Sequence, residues 1–415
     1  MKKGNIIVGQ SGGPTAAINS SLAGVYKTAK ELGAGKVYGM LHGIEGLLKG
    51  NYTDLGDHIK SDLDISLLKR TPSSFLGSCR YKLPAIEKDE DTFKKLFTLF
   101  KKLDIMGCLY IGGNDSMDSI QKMSSYAKKV GSDIKFMGAP KTIDNDLAET
   151  DHTPGYGSAA KYIAATFKEI IADAHVYGTE FITVVEIMGR NTGWLTAASA
   201  LSRMEDCPGP DLIYLPEVDF NVDEFLVKVN ELRKTKKSLV VAVSEGLKTA
   251  DGKYVCELGA ANVDFKDAFG HKQLSGTASY LASLCAARFG CKTRMIEFAT
   301  MQRCASHIAS HTDTMEAFQT GGYAVKLAME GETGKMVVMD RLSNEPYAIG
   351  LRACDIAKIA NIEKKFPLEW LAKDRSLVTK DFLTYARPLI QAELTPIMVD
   401  GLPRHLFLDR AAIKK

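Results

Sequence analysis

Residues 105–113, "IMGCLYIGG", decide the fold. The run is apolar without alternation and stops at paired glycines, and "SMDSIQKMSSYAKKV" (116–130) follows with helical spacing of its apolar residues. An alternating strand shows one face to water, whereas a continuously apolar strand is buried on both faces, as in a parallel sheet covered by helices. Outward from this stretch the same strand signal recurs in "NIIVG" (5–9), "KVYGM" (36–40), "IKFMGAP" (134–140), "FITVVEIMG" (181–189), "DLIYLP" (211–216) and "SLVVAVSEG" (238–246). Between them, "INSSLAGVYKTAKEL" (18–32) and "GSAAKYIAATFKEIIADAH" (157–175) read as amphipathic helices. The pattern predicts an α/β chain with two doubly wound, mostly parallel sheets flanked by helices.

Composition narrows the function classes. The 415 residues carry 53 Lys+Arg against 50 Asp+Glu, a formal charge of +3 with no long run of one sign. That pattern argues against a nucleic-acid or membrane-surface protein and leaves small anionic ligands open, since these need only a few local cations. The eight cysteines show no CxxC pairing and read as buried free thiols of a reducing compartment. Cys285 and Cys291 with His307 and His311 match no zinc spacing. The apolar run in "MKKGNIIVGQSGG" is too short for a signal peptide or a membrane span, so a cytoplasmic location is expected.

Polar and glycine residues gather just after the strand ends: "GQSGG", "IGGNDS", "PKTIDND", "EIMGRNTG" and "SEG". Ligands of open parallel sheets bind at those carboxyl ends. Gly12 and Gly13 before a helix let backbone N–H groups approach an anion, although such a turn also serves tight packing. Asn114 and Asp115 open another helix and could simply cap it. In "PKTIDND", Asp144 and Asp146 lie two apart and point the same way if the backbone is extended, with Asn145 opposite. One carboxylate there can take a hydroxyl proton and a second can hold magnesium, while an Asx-rich turn alone leaves Lys141 and Thr142 unexplained. Arg190, after Met188 and Gly189, offers a planar fork suited to phosphate. Glu245 is an acceptor for sugar hydroxyls or an ordinary turn residue. A phosphate cradle, a metal site, a base and an anion clamp together fit phosphoryl transfer to a hydroxyl of a phosphorylated small molecule.

These motifs, in this order, resemble the phosphofructokinase superfamily. The match runs through "GQSGGPTAAINSSLAGV", "SSFLGSCRYKL", "YIGGNDSMDS", "PKTIDNDL", "VVEIMGR", "VSEGL" and "KTRMIEFATMQR". The resemblance implies that Asp144, in Thr142-Ile143-Asp144, is the base for the sugar 1-hydroxyl. It implies that Asp146 serves magnesium and the transferring phosphoryl group. Met188, Gly189 and Arg190 then fall on the fructose 6-phosphate loop, Glu245 on its sugar-binding glutamate, and Arg303 on a sugar-phosphate arginine, with Arg294 as a second. Since one such arginine comes from a neighbouring subunit in the family, a homo-oligomer (dimer or tetramer) is implied. Gly12, Gly13 and Arg80 fall on the donor side.

Two positions choose the donor. ATP-using members carry glycine at the positions of Asp115 and Lys141, and this pair is the combination of pyrophosphate-dependent members. A carboxylate at 115 fills space that the α-phosphate of a nucleotide needs, and two unit charges about 4 Å apart repel by roughly 4 kcal/mol at an effective dielectric of 20. Lys141 offers a cation to the phosphoryl group or the leaving phosphate. The sequence departs from the family pattern in three places. Asn114 stands where a magnesium-binding aspartate is common, Phe181 where many ATP-using members have arginine, and Thr300 where relatives have histidine or tyrosine. By that resemblance the last two changes would widen the acceptor site, with sedoheptulose 7-phosphate as an extra acceptor beside fructose 6-phosphate. The expected organisation is a donor subdomain at 1–155, completed by part of 270–320, and a sugar-phosphate subdomain with a C-terminal extension at 156–415. The expected reaction is pyrophosphate-dependent phosphorylation of fructose 6-phosphate. The rivals are an ATP-dependent kinase and a non-catalytic sugar-phosphate sensor.

Overall fold

A computed structural model describes residues 4–176, 178–259 and 274–410. The chain forms two compact units, one of Met1–Ser158, Arg303–Glu363 and Gln391–Lys415, the other of Ala159–Gln302 and Lys364–Ile390.

The first unit is built on a seven-stranded sheet. Its strands are β1 (Asn5–Gln10), β2 (Val37–Met40), β3 (Tyr52–Asp54), β4 (Ile105–Gly112) and β5 (Lys135–Pro140). The second unit then supplies β6 (Phe181–Ile187), β7 (Leu212–Tyr214), β8 (Ser238–Ser244) and β9 (Lys292–Glu297). The chain returns to the first sheet with β10 (Lys335–Asn344) and β11 (Tyr347–Asp355). The first sheet has the order β11-β10-β5-β4-β1-β2-β3, parallel from β10 to β2 and antiparallel at both edges. Burial on both faces follows the strand alternation: Ile6, Val8, Leu109 and Ile111 enter one apolar cluster, while Ile7, Cys108 and Tyr110 enter the other. On one face the helices Ile18–Glu31 and His311–Met329 approach backbone to backbone. A Cβ at Gly24 would lie 2.0 Å from the Phe318 carbonyl oxygen, and one at Gly321 would lie 2.1 Å from that of Ser21, so only glycine permits this approach.

The second unit holds a fully parallel four-stranded sheet, β7-β8-β6-β9. β6 and β8 are buried throughout, which is why both read as unbroken apolar runs. β9 is an edge strand with Lys292, Arg294 and Met295 exposed, and this polarity hid it from sequence reading.

The first unit runs to Ser158 and takes residues 303–320 of the stretch 270–320 expected to complete it, and it also takes 321–363 and 391–410, which were expected in the second. Residues 303–363 and 391–410 lie in the first unit because β10 and β11 extend the first sheet beside β5. Part of the expected donor completion, 270–273, falls outside the described residues. All eight cysteines are free thiols, six of them buried. Among the described residues no group of three or more His, Cys, Asp or Glu is arranged to hold a metal ion, Cys285, Cys291, His307 and His311 included. No described helix is long and apolar enough to cross a membrane.

Candidate active site

In the first unit, parallel pairing aligns the C-terminal ends of β1, β4 and β5: Gln10 registers with Ile111, and Gly112 with Pro140. Three chain segments therefore leave the sheet side by side. After β1, Gly12 takes a left-handed φ of +78° and donates its N–H to the Cys79 carbonyl at 3.1 Å. Ser78 Oγ donates back to the Gly12 carbonyl at 2.6 Å, which fastens the glycine loop to the segment carrying Arg80. After β4, Gly113 caps the helix Asn114–Val130, placing Asp115 in its first turn. A Cβ at Gly112 would meet Ser116 Oγ at 1.9 Å and Ser116 Cβ at 2.5 Å, so the first glycine of the pair is a steric requirement, while Gly113 has room for a side chain.

After β5, Lys141 turns inward and is only 3% exposed. Its Nζ donates to the Gly13 carbonyl at 2.6 Å. A Cβ on Gly12 would lie 3.5 Å from that Nζ, and one on Gly13 would lie 3.4 Å from Arg303 Nη1, so both cations border the glycine pair. Burial pulls the Lys141 ammonium down to about 8, opposed by Asp144 and Asp146 and reinforced by Arg303 and Arg80. Four charged groups expected at the donor, base and metal positions thus share one electrostatic neighbourhood with Arg303, which was expected at the sugar phosphate.

The 142–146 segment is not the extended run expected. Asp144 N–H donates to Thr142 Oγ1 at 3.0 Å and Asn145 has a φ of +54°, so the backbone turns there. Asn145 is nonetheless fully buried, while Asp144 and Asp146 are half-buried. Ile143 is buried as well and offers a ligand only its backbone. Behind this turn, Thr142 N–H donates to the Pro154 carbonyl at 3.2 Å, and Thr153 Oγ1 donates to the Thr142 carbonyl at 2.8 Å. The neighbouring His152 ring is fixed between Asp151 and Glu316, each at 2.7 Å. Burial disfavours its charge, but Glu316 and Asp151 outweigh that and raise it to about 9. Asn114 is also used structurally. Its side-chain nitrogen, in the orientation its surroundings require, donates to the Ile359 and Ile362 carbonyls at 3.0 and 3.2 Å. Only its amide oxygen is left for a metal or a metal-bound water.

In the second unit the sugar-side candidates meet at the ends of β6 and β8. Gly189, at φ +143°, donates its N–H to Glu245 Oε1 at 3.3 Å, and Ser244 Oγ donates to the Gly189 carbonyl at 2.6 Å. Met188 N–H donates to Gln302 Oε1 at 3.4 Å. Arg190 Nε is buried without a hydrogen-bond partner, an orphan donor of the kind that anion sites present. Thr300 is exposed beyond β9. Arg294 is not brought to this loop: it registers opposite Thr183, about 16 Å along β6 from Met188 at ~3.3 Å per residue. Its guanidinium pairs with Asp173 at 2.7 Å and lies over the buried Phe181 ring.

Sequence reading missed Glu217, which follows β7 and accepts the Gly193 N–H at 2.8 Å. The signal was there: "PEVD" after "DLIYL" is a sixth polar cluster at a strand end.

Comparison with known proteins identifies relatives of the whole chain. A protein of Methylococcus capsulatus named pyrophosphate–fructose 6-phosphate 1-phosphotransferase is 38% identical over 415 residues, 99% of this chain and 97% of its own. One of the same name from Halomonas elongata is 38% identical, with 100% and 98% covered. The crystal structure of a pyrophosphate-dependent phosphofructokinase from Nitrosospira multiformis superimposes with a TM-score of 0.88 at 35% identity, covering 100% of this chain and 98% of that one. Residues 5–328 match the Phosphofructokinase family, and the chain belongs to it.

Proposed function

We propose that this chain transfers a phosphoryl group reversibly from pyrophosphate to the 1-hydroxyl of fructose 6-phosphate, giving fructose 1,6-bisphosphate and phosphate. The observation that carries the donor choice is the buried Lys141 ammonium held at Gly13, with Asp115 opening the helix beside it. A short inorganic donor needs that cation, whereas a nucleotide needs the room the Asp115 side chain takes.

The first unit supplies the donor chemistry. Gly12, Gly13 and Arg80 receive pyrophosphate, and Lys141 neutralises charge on the phosphoryl oxygens or the departing phosphate. Asp144 takes the proton of the attacking hydroxyl, its carboxylate placed by the turn at Thr142. Asp146, with the Asn114 amide oxygen, would hold magnesium. One carboxylate plus phosphate oxygens and waters suits that ion, and among the described residues there is no all-protein cage to compete. Magnesium, when bound, supplies positive charge to the phosphate oxygens.

The second unit supplies recognition of the acceptor. Arg190 offers its unpartnered Nε–H to the 6-phosphate, while Met188 and Gly189 present backbone and Glu245 accepts from sugar hydroxyls. Arg303, on the short helix Met301–Cys304 and bordering Gly13, is the second cation proposed for the sugar phosphate. Arg294 pairs with Asp173 yet keeps 45% of its side chain exposed on an edge strand, a position open to a second copy of the chain in a homo-oligomer.

A donor screen tests the proposal. With fructose 6-phosphate and magnesium, turnover is expected with pyrophosphate and not with ATP; the reverse result ends the reading. Asp115→Gly combined with Lys141→Gly is expected to lower pyrophosphate use by about 100-fold or more. Unchanged pyrophosphate kinetics in that double variant would refute the donor assignment.

A further inference from the structure

The C-terminal part of the second unit, Lys364–Ile390, lies beyond every motif that carries the family resemblance. It nonetheless grips the segment that follows Arg190. Glu217 Oε1 accepts two backbone N–H groups at once, from Gly193 at 2.8 Å and from Phe366 at 3.1 Å. One carboxyl oxygen thereby ties the end of the sugar loop to the C-terminal segment. Lys365 Nζ donates to the Asn191 carbonyl at 2.9 Å, and Trp194 Nε1 donates to the Lys364 carbonyl at 3.3 Å. The Lys364 ammonium sits 5.1 Å from the centre of the Trp194 ring. The Trp194 ring is boxed by Phe366, Trp370 and Tyr385, with centroids 5.2, 5.9 and 5.4 Å away. Tyr385 and Arg387 therefore pack, the latter donating to the Leu201 carbonyl at 3.2 Å.

The segment is itself fixed to the sheet. Ile213 of β7 donates its N–H to the Ser376 carbonyl at 2.7 Å, and Lys228 pairs with Asp374 at 3.2 Å. A continuous set of contacts thus runs from β7 through 364–385 to residues 191–194. Two details show that this is a fitted joint. A Cβ on Gly193 would meet Glu217 Oε2 at 2.7 Å and Leu215 Cβ at 2.8 Å, so the loop needs glycine there. That Oε2 is buried with no hydrogen-bond partner, so the carboxylate's hydrogen bonds at this joint are both carried by Oε1. Burial raises the Glu217 carboxyl above its ordinary range, against the N–H groups of Gly193 and Phe366.

We infer that Glu217 and residues 364–385 form a strap that fixes the 190–194 segment so that the Arg190 guanidinium is set for the sugar phosphate, making Glu217 a positioning residue for the acceptor. This rests on the assignment of Met188–Arg190 to fructose 6-phosphate. The strap touches only the second unit in these contacts, so its effect falls on the acceptor and spares the donor.

The test is steady-state kinetics of the full-length chain with each substrate varied in turn, on variants whose melting confirms a folded protein. Glu217→Leu removes the shared acceptor and is expected to lower kcat/KM for fructose 6-phosphate by about 10- to 100-fold, with KM for pyrophosphate unchanged. Glu217→Gln keeps an oxygen acceptor and is expected to recover most of that loss. Lys365→Ala, on an exposed side chain that tolerates truncation, is expected to show the same acceptor-selective loss at about 3-fold. Folded Glu217→Leu and Lys365→Ala enzymes with unaltered acceptor kinetics overturn the inference, and so does a loss shared equally by both substrates. If Glu217→Leu does not fold, Lys365→Ala decides by the same split. Arg190→Ala separates the two layers. If it leaves fructose 6-phosphate kinetics unmoved, the loop assignment fails; if it raises KM while the strap variants do not, only the strap fails.

Discussion

The donor loop at 139–147 and the sugar loop at 188–194 each leave the carboxyl end of a buried parallel strand, yet they are built differently. In the donor loop the side chains that do the chemistry also govern one another. Lys141 is set by Asp144, Asp146, Arg80 and Arg303, and its ammonium is anchored by the Gly13 backbone. In the sugar loop the reactive group is left unsatisfied: Arg190 Nε has no partner, and the holding is done by Glu245, Gln302 and Glu217 on the loop backbone. A phosphoryl-transfer centre needs charges balanced before the donor arrives. A recognition loop needs an unspent donor and a rigid frame.

That contrast predicts that donor-side variants act on kcat and sugar-side variants on KM. The largest effect is expected from Asp144→Ser, with kcat down by about 10²- to 10⁴-fold in both directions and KM for fructose 6-phosphate little changed. Full activity in that variant would remove Asp144 as the base. Lys141 comes next. Its proton is lost as pH rises through about 8, so kcat/KM for pyrophosphate, which reports the free enzyme, is expected to fall above that pH. Lys141→Arg cannot titrate there and is expected to lose that limb at a lower absolute rate. A limb that persists in the arginine variant belongs to another group. Arg190→Lys is expected to raise KM for fructose 6-phosphate by about 10-fold, since one ammonium replaces a fixed fork, with kcat nearly intact. An equal fall in kcat would erase the distinction between the loops.

The same contrast explains how much could be read in the sequence. Donor-side residues sit in compact runs, Gly12-Gly13, Asn114-Asp115 and Lys141 to Asp146, because the sheet register brings consecutive strand ends together. Strands buried on both faces, such as β4 and β8, announced themselves by unbroken apolarity. The edge strands β3, β9 and β11 did not, since each is short or half-exposed. The turn at Thr142–Asn145 was also hidden, as two acids at i and i+2 read equally well as extended chain or as turn. Glu217 and Phe366 lie 149 residues apart and meet only through tertiary structure, so no local pattern points from one to the other.

The smallest effect concerns what stands behind the donor loop. His152 is buried between Asp151 and Glu316; Asp151 also pairs with Arg341 at 2.7 Å, and Glu316 Oε1 accepts from Tyr347. Its folded-state value of about 9 exceeds the ordinary 6.5, so the imidazolium contributes stability that is complete below pH 6.5 and is lost as pH rises through about 9. Lys141 works in the opposite sense over part of that range, because its folded value is depressed. The informative quantity is therefore the difference in melting temperature between the wild type and Glu316→Gln, in which that common contribution cancels. Removing the Glu316 charge lets the His152 proton leave at lower pH, so the difference is expected to be a few degrees at pH 7 and to shrink as pH rises through about 9. A difference that stays constant from pH 7 to 10 would mean that Glu316 supports the loop by packing and its bond to Tyr347 alone. The donor loop would then be held from behind by shape, as the sugar loop is, and the contrast would narrow to the reacting groups themselves.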